Sequence, residues 1–176
     1  MFAIKVNGVN FWEETPGRGY EKPGGPPRLE IGRSRHGHPQ TLLHHRLDWV
    51  AGADATLENA ESAALLIEDR TLTVTLDESM GEVALHWFSQ FKVGRSVPEV
   101  ELSGTNYHGL GIRFRQDLDP LATHLIAGNQ PDLSRTKQSV SPGTWGAVTF
   151  DVPGKPATVA IFGSPRNPGG KRVSSP

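Results

Sequence analysis

The chain contains no cysteine, which removes disulfide frameworks, thiolate nucleophiles and cysteine-based zinc sites together. Long hydrophobic runs are missing too. The longest, Ala63 to Ile67, is far too short to cross a bilayer, and the opening Met1-Phe2-Ala3-Ile4-Lys5-Val6 lacks the charged-then-apolar layout of a secretion signal. The expectation is a chain that does not enter the membrane, placed in the cytoplasm. An excess of positive charge is also absent: 18 Lys and Arg stand against 19 Asp and Glu, a formal net charge of -1. Such a chain has no basic stripe to neutralise phosphates, so nucleic acid is not an expected partner. Among reaction templates there is no Gly-x-Ser-x-Gly elbow, no phosphate-cradling Walker loop and no dinucleotide fingerprint. Glu13, Glu14, Glu99 and Glu101 are carboxylates of the type used in glycoside hydrolysis, but sequence does not give the separation that chemistry needs.

Turn formers are abundant instead. Glycine (20) and proline (14) make up nearly a fifth of the 176 residues, with hydrophobic content at 36%, the composition of many short elements joined by turns. The length suits one domain. We expect residues 1–167 to form a single β domain and residues 168–176 a disordered tail.

Alternation of apolar and polar residues supports strands. In Glu82 to Lys92, residues Val83, Leu85, Trp87 and Phe91 share one face, opposite Glu82, His86, Gln90 and Lys92, with Ala84 and Phe88 among the latter. In Thr71 to Leu76, Leu72, Val74 and Leu76 oppose three threonines. Shorter strands are expected at Ala3 to Val6, Val9 to Glu13, Arg28 to Gly32, Glu99 to Leu102, Trp145 to Val152 and Ala157 to Gly163. Asn7-Gly8 signals a type I′ hairpin between the first two. Leu57 to Arg70 contains good helix formers, yet it runs into Thr71 to Leu76 without a Gly or Pro break, so one long strand is expected. Pro16 to Pro27, with four glycines and four prolines, reads as an irregular connector. Asp117 to Pro142 lacks periodicity and is expected to wrap a sheet edge or hold a short helix.

The histidines are the first candidates for chemistry, because imidazole is the acid or base available at neutral pH. If Thr41 to Val50 is a strand, Leu43, His45, Leu47 and Trp49 share one face, and Leu42, His44, Arg46, Asp48 and Val50 the other. His44, Arg46 and Asp48 then form a row able to bond a polyol; the alternative is a solvated face with a weak ion pair. His36-Gly37-His38 with His44 or His45 starts like a cupin metal motif. Gln40 and Thr41 stand where a carboxylate should follow, so no metal and no cofactor is expected. In Tyr107-His108-Gly109-Leu110-Gly111-Ile112-Arg113-Phe114, an unbroken strand puts Tyr107, Gly109, Gly111, Arg113 and Arg115 on one face and His108 with Leu110, Ile112 and Phe114 on the other. The two glycines leave a flat patch between an aromatic ring and a guanidinium, where a sugar ring can lie. The alternative is a bulge with a core histidine.

Several segments together resemble one family: Val6-Asn7-Gly8-Val9-Asn10-Phe11-Trp12, the tract His36-Gly37-His38 through Trp49, Glu68-Asp69-Arg70-Thr71-Leu72-Thr73-Val74, Tyr107 through Phe114, and Val159-Ala160-Ile161-Phe162 with Asn167-Pro168. They are similar to soluble bacterial β-sandwich proteins labelled "methane oxygenase PmoA", a PmoA-like domain of unknown function. The label carries no activity here, because the membrane subunit of that name crosses a bilayer several times. The resemblance implies an all-β, antiparallel β-sandwich of the galactose-mutarotase-like supersandwich kind, a fold frequent among carbohydrate-active and carbohydrate-binding proteins. Family members carry a His-Pro-His-His-Arg segment before the Asn-Gly-Val-x-Phe-Trp motif and continue past the Asn-Pro motif. This chain departs at both ends, so the sandwich is expected to be incomplete and to self-associate through exposed sheet edges.

Function is therefore expected to be recognition of a carbohydrate or sugar acid, with Tyr107, His108, Arg113, His44 and Arg46 as ligand contacts. Two alternatives stand beside it. One is a sugar-modifying enzyme, an epimerase, mutarotase or lyase, in which His108 or His44 moves a proton and Arg113 stabilises negative charge. The other is a gene fragment without a function of its own.

Overall fold

The computed structural model describes residues 2–12, 18–52, 63–104, 109–127, 130–131 and 144–167. Fourteen antiparallel strands and one 3₁₀ helix make up the described regular structure, as the turn-rich composition leads one to expect. Contacts divide the chain into two compact units: residues 1–104 with 108–110, and residues 105–107 with 111–176.

In the first unit, β1 (Phe2–Ala3) pairs with β10 (Gly109–Leu110). A second small sheet runs in the order β3 (Val9–Asn10), β2 (Lys5–Val6), β9 (Leu102–Ser103). Its hairpin turns at Asn7 (φ 49°) and Gly8 (φ 79°), the positive angles that a type I′ turn requires and that Asn-Gly supplies. The Asn7 side chain fixes the turn further, donating to the Glu99 carbonyl at 3.2 Å and accepting from the Glu101 amide at 2.7 Å.

The main sheet holds five strands: β4 (Gly19–Pro23), β5 (Arg28–Arg33), β6 (Pro39–Ala51), β7 (Ala64–Asp77) and β8 (Glu82–Val93). The long strand expected from Leu57 through Leu76 forms from Ala64 to Asp77, and Leu57 to Ser62 lie outside the described residues. β4 corrects the sequence reading, since Pro16 to Pro27 is not a connector throughout: Gly19 to Pro23 pairs with Ala51 to Leu47. Glycine at 19 is what allows it, because a Cβ there would lie 2.4 Å from the Phe11 ring. β4 and β5 run along the same side of β6 and are separated by Gly24, Gly25, Pro26 and Pro27.

Packing concentrates at one end of this sheet. Val6, Phe11, Leu47, Trp49 and Leu66 form the buried core. Trp49 tilts against Phe11 at 5.0 Å and meets Phe91 edge-on at 6.1 Å between centroids, separations that suit attractive aromatic pairs. Within the core face lies a charged network. Glu68 is fully buried, receiving the Trp49 indole N–H at 3.0 Å, Arg70 Nε and Nη2 each at 2.8 Å, and the Ser89 hydroxyl. Arg70 also donates to Glu21 at 2.9 Å and stacks over Trp87 at 4.7 Å. Burial disfavours the guanidinium charge, but the hydrogen bond and charge of Glu68, joined by Glu21, outweigh it and hold Arg70 above its ordinary pKa. Beside them, opposite Arg70, the buried Nε2 of His45 has no hydrogen-bond partner among the described residues.

The second unit is a four-stranded sheet in the order β12 (Gln130–Pro131), β11 (Ala122–Ile126), β13 (Trp145–Phe150), β14 (Ala157–Phe162). A 3₁₀ helix, Gln116–Leu121, precedes it. The aperiodic region after Asp117 thus contains a strand, β11, besides the end of that short helix. Phe114 packs on Phe150 at 4.9 Å.

Candidate functional site

Successive residues of a strand face opposite ways, so the register of β5 to β8 defines two faces of the main sheet. One is the core face just described. On the other, Arg28, His44, Thr71 and Phe88 stand in a row across four strands, each directly opposite the next. In the neighbouring rows Glu30 stands opposite Leu42, with Thr73 and His86 beyond it, Gln40 is beside Thr75, and Arg46 is beside Asp69 and Gln90.

This face is polar and hydrogen-bonded. His44 Nδ1 lies 3.2 Å from the Thr71 hydroxyl, and its Nε2 is 3.8 Å from a carboxylate oxygen of Glu30. Arg28 reaches the same Glu30 oxygen at 3.2 Å. Gln40 donates to Thr75 at 2.9 Å, and Lys92 pairs with Asp69 at 2.7 Å. Arg46 Nε contacts the buried Asp48 at 3.3 Å. At the β8 end of this row Phe88 is 48% exposed, an apolar plate next to the strand that carries Thr71.

His44 and Arg46 accordingly share one face, as strand alternation predicts, and Asp48 binds Arg46 rather than standing free. Arg113 is exposed in the second unit, in the extended stretch Gly111 to Arg115 that makes no ladder. The expected unbroken strand from Tyr107 to Phe114 is therefore corrected: among the described residues of this stretch only Gly109–Leu110 pairs, and the alternation drawn through Arg113 does not continue past Leu110. Tyr107 and His108 lie outside the described residues. Nearby, Arg115 pairs with Asp117 at 2.6 Å. The hydrogen bond from Arg115, with help from its charge, lowers the Asp117 pKa against the opposing effect of desolvation.

The sequence reading places Phe88 on the polar face but gives it no role. The available signal was its position, an aromatic at a solvent-facing place among threonines and histidines. His36 and His38 do not converge on a shared centre. His36 accepts from Arg35 at 2.9 Å, and His38 lies 3.7 Å from Asp77. Among the described residues, no three His, Asp or Glu side chains gather as a ligand set, and no helix is long and apolar enough to cross a membrane.

Residues 2–173 match a family described as "Family of unknown function (DUF6807)", and the chain belongs to that family. No curated protein and no solved structure matches it.

Proposed function

We propose that this family member recognises a carbohydrate or sugar acid on the polar face of its main sheet. The carrying observation is the Phe88 ring, exposed in a row with Thr71 and His44. A sugar presents a C–H face that stacks on an aromatic plate and hydroxyls around its rim that exchange hydrogen bonds. Here the rim is met by Thr71, Thr73, His44, His86 and Gln90, with Arg46 able to add charge to a sugar acid. The flat strand surface favours an extended chain of sugars over a deep single-residue pocket. The galactose-mutarotase-like sandwich implied by the resemblance supports the reading at the level of fold.

The test is titration with neutral oligosaccharides and with uronates, followed by calorimetry and tryptophan fluorescence. Phe88→Ala and His44→Ala should each abolish measurable binding while leaving the thermal melt in place. An absence of response across the panel ends the proposal, as does full binding by Phe88→Ala. Arg113→Ala tests separately the contact assigned to the second unit.

One observation favours a second reading, a sugar-modifying enzyme. Such chemistry needs a carboxylate facing the imidazole, and Glu30 stands 3.8 Å from His44. His44 would take the proton, with Glu30, 3.8 Å from its Nε2, stabilising the imidazolium. Turnover of a bound sugar that disappears in both His44→Gln and Glu30→Gln would establish it, and binding without any turnover would leave recognition alone.

A further inference from the structure

β8 is twelve residues long, contains no proline and is exposed at nine of its positions, and among the described residues it pairs only with β7. A long unpaired strand edge presents a row of backbone donors and acceptors that another strand can complete. On its core face Val83 and Leu85 are 67% and 57% exposed, and Leu85 stands opposite exposed Val74 on β7. On the polar face, Glu82 stands at one end of the strand and Lys92 at the other.

From this we infer that β8 is the seam of a symmetric dimer, in which the strands of two copies pair antiparallel about a two-fold axis at Trp87. A two-fold perpendicular to the sheet keeps each face continuous, so directly opposed residues must come from the same face. With the axis at Trp87, Glu82 of each copy meets Lys92 of the other, making two opposite-charge pairs across the seam. Shifting the axis by one residue either way opposes Glu82 to Gln90 or to Gly94 and loses both pairs. The register at Trp87 also sets Val83 against Phe91 and Leu85 against Ser89 on the apolar face, and His86 against Phe88 on the polar one. Main-chain hydrogen bonds would hold the seam, apolar contacts would cover Val83, and the charges would choose the register.

The test uses the whole chain. Wild type should sediment as a dimer at high micromolar concentration. Glu82→Lys alone and Lys92→Glu alone each oppose like charges twice, and should raise the dimer dissociation constant about tenfold or more. Mixing the two variants restores both opposite-charge pairs in a heterodimer and should recover wild-type affinity, which a folding defect in either variant could not do. Because the chain has no cysteine, a mixture of His86→Cys and Phe88→Cys reports register directly: the two should cross-link to each other on mild oxidation. A monomeric wild type would overturn the inference, whether its β8 amides exchange freely or are protected by another part of the chain. So would a dimer indifferent to both charge variants. These substitutions leave His44 and Phe88 in place in the charge series, so dimerisation and sugar binding fail or succeed independently.

Discussion

Replacing Arg70 by alanine should be among the most damaging single changes in the first unit. Three charge-assisted hydrogen bonds vanish, two to Glu68 and one to Glu21. The Glu68 carboxylate, with no exposure to water, is then left with only the Trp49 indole and the Ser89 hydroxyl. Removing one partner of a buried ion pair costs about 3–5 kcal/mol, because the survivor is an uncompensated charge in a poor solvent. At a urea dependence of about 2 kcal/mol per M, a loss of 4 kcal/mol moves the unfolding midpoint down by about 2 M. The double variant Glu68→Leu/Arg70→Leu removes the desolvated charge along with its partner, and should be less destabilised than Arg70→Ala alone. Urea titration followed by tryptophan fluorescence reads the effect, since Trp49 and Trp87 both touch the network. A loss below about 1 kcal/mol for Arg70→Ala, or effects of the two positions that add within about 0.5 kcal/mol, would refute the reasoning.

Gly94→Ala should destabilise by at least about 1–3 kcal/mol, because the new Cβ would lie 1.9 Å from the Ala64 carbonyl oxygen, which is backbone and accepts the Ser96 hydroxyl at 2.7 Å; thermal melting measures it. His45→Leu should raise stability by about 1 kcal/mol, since it removes a buried nitrogen without a partner, and an unchanged or lower melting temperature would count against that account. Asp77 tests acid sensitivity. Its pKa is lowered chiefly by the Ser79 hydroxyl, against desolvation, with help from the Met80 amide and His38. A depressed carboxylate stabilises fully above its unfolded value of 3.8 and loses that contribution as pH falls through its lower folded value. Amide exchange at Ser79 and Met80 should therefore accelerate below pH 3.8, and Asp77→Asn should remove this dependence.

Much of the first unit was legible in sequence. Glu82 to Lys92 and Thr41 to Val50 were legible because successive side chains of a strand point to opposite faces, which puts a period of two into the sequence, and Asn7-Gly8 announced its turn because few residue pairs accept positive φ twice. Gly19 to Pro23 was hidden for the converse reason: glycines and prolines that usually break ladders are here required by the Phe11 ring and tolerated on a sheet edge. The Glu68 network was hidden by chemistry. Glu68 and Arg70 occupy core-facing places beside Leu66 and Leu72, and sequence cannot show that Trp49, Ser89 and Glu21 arrive from three other strands to satisfy them. His44 and Arg46 were legible as neighbours by spacing alone. The His44 partners Thr71 and Glu30 come from other strands, and only the register brings them in.

The interruption between β4 and β5 gives the main sheet unlike borders. Along β8 the margin is continuous, whereas the opposite margin is broken by Gly24, Gly25, Pro26 and Pro27, and prolines cannot donate to an incoming chain. Under the proposed pairing, this interrupted margin offers no second seam as long as β8.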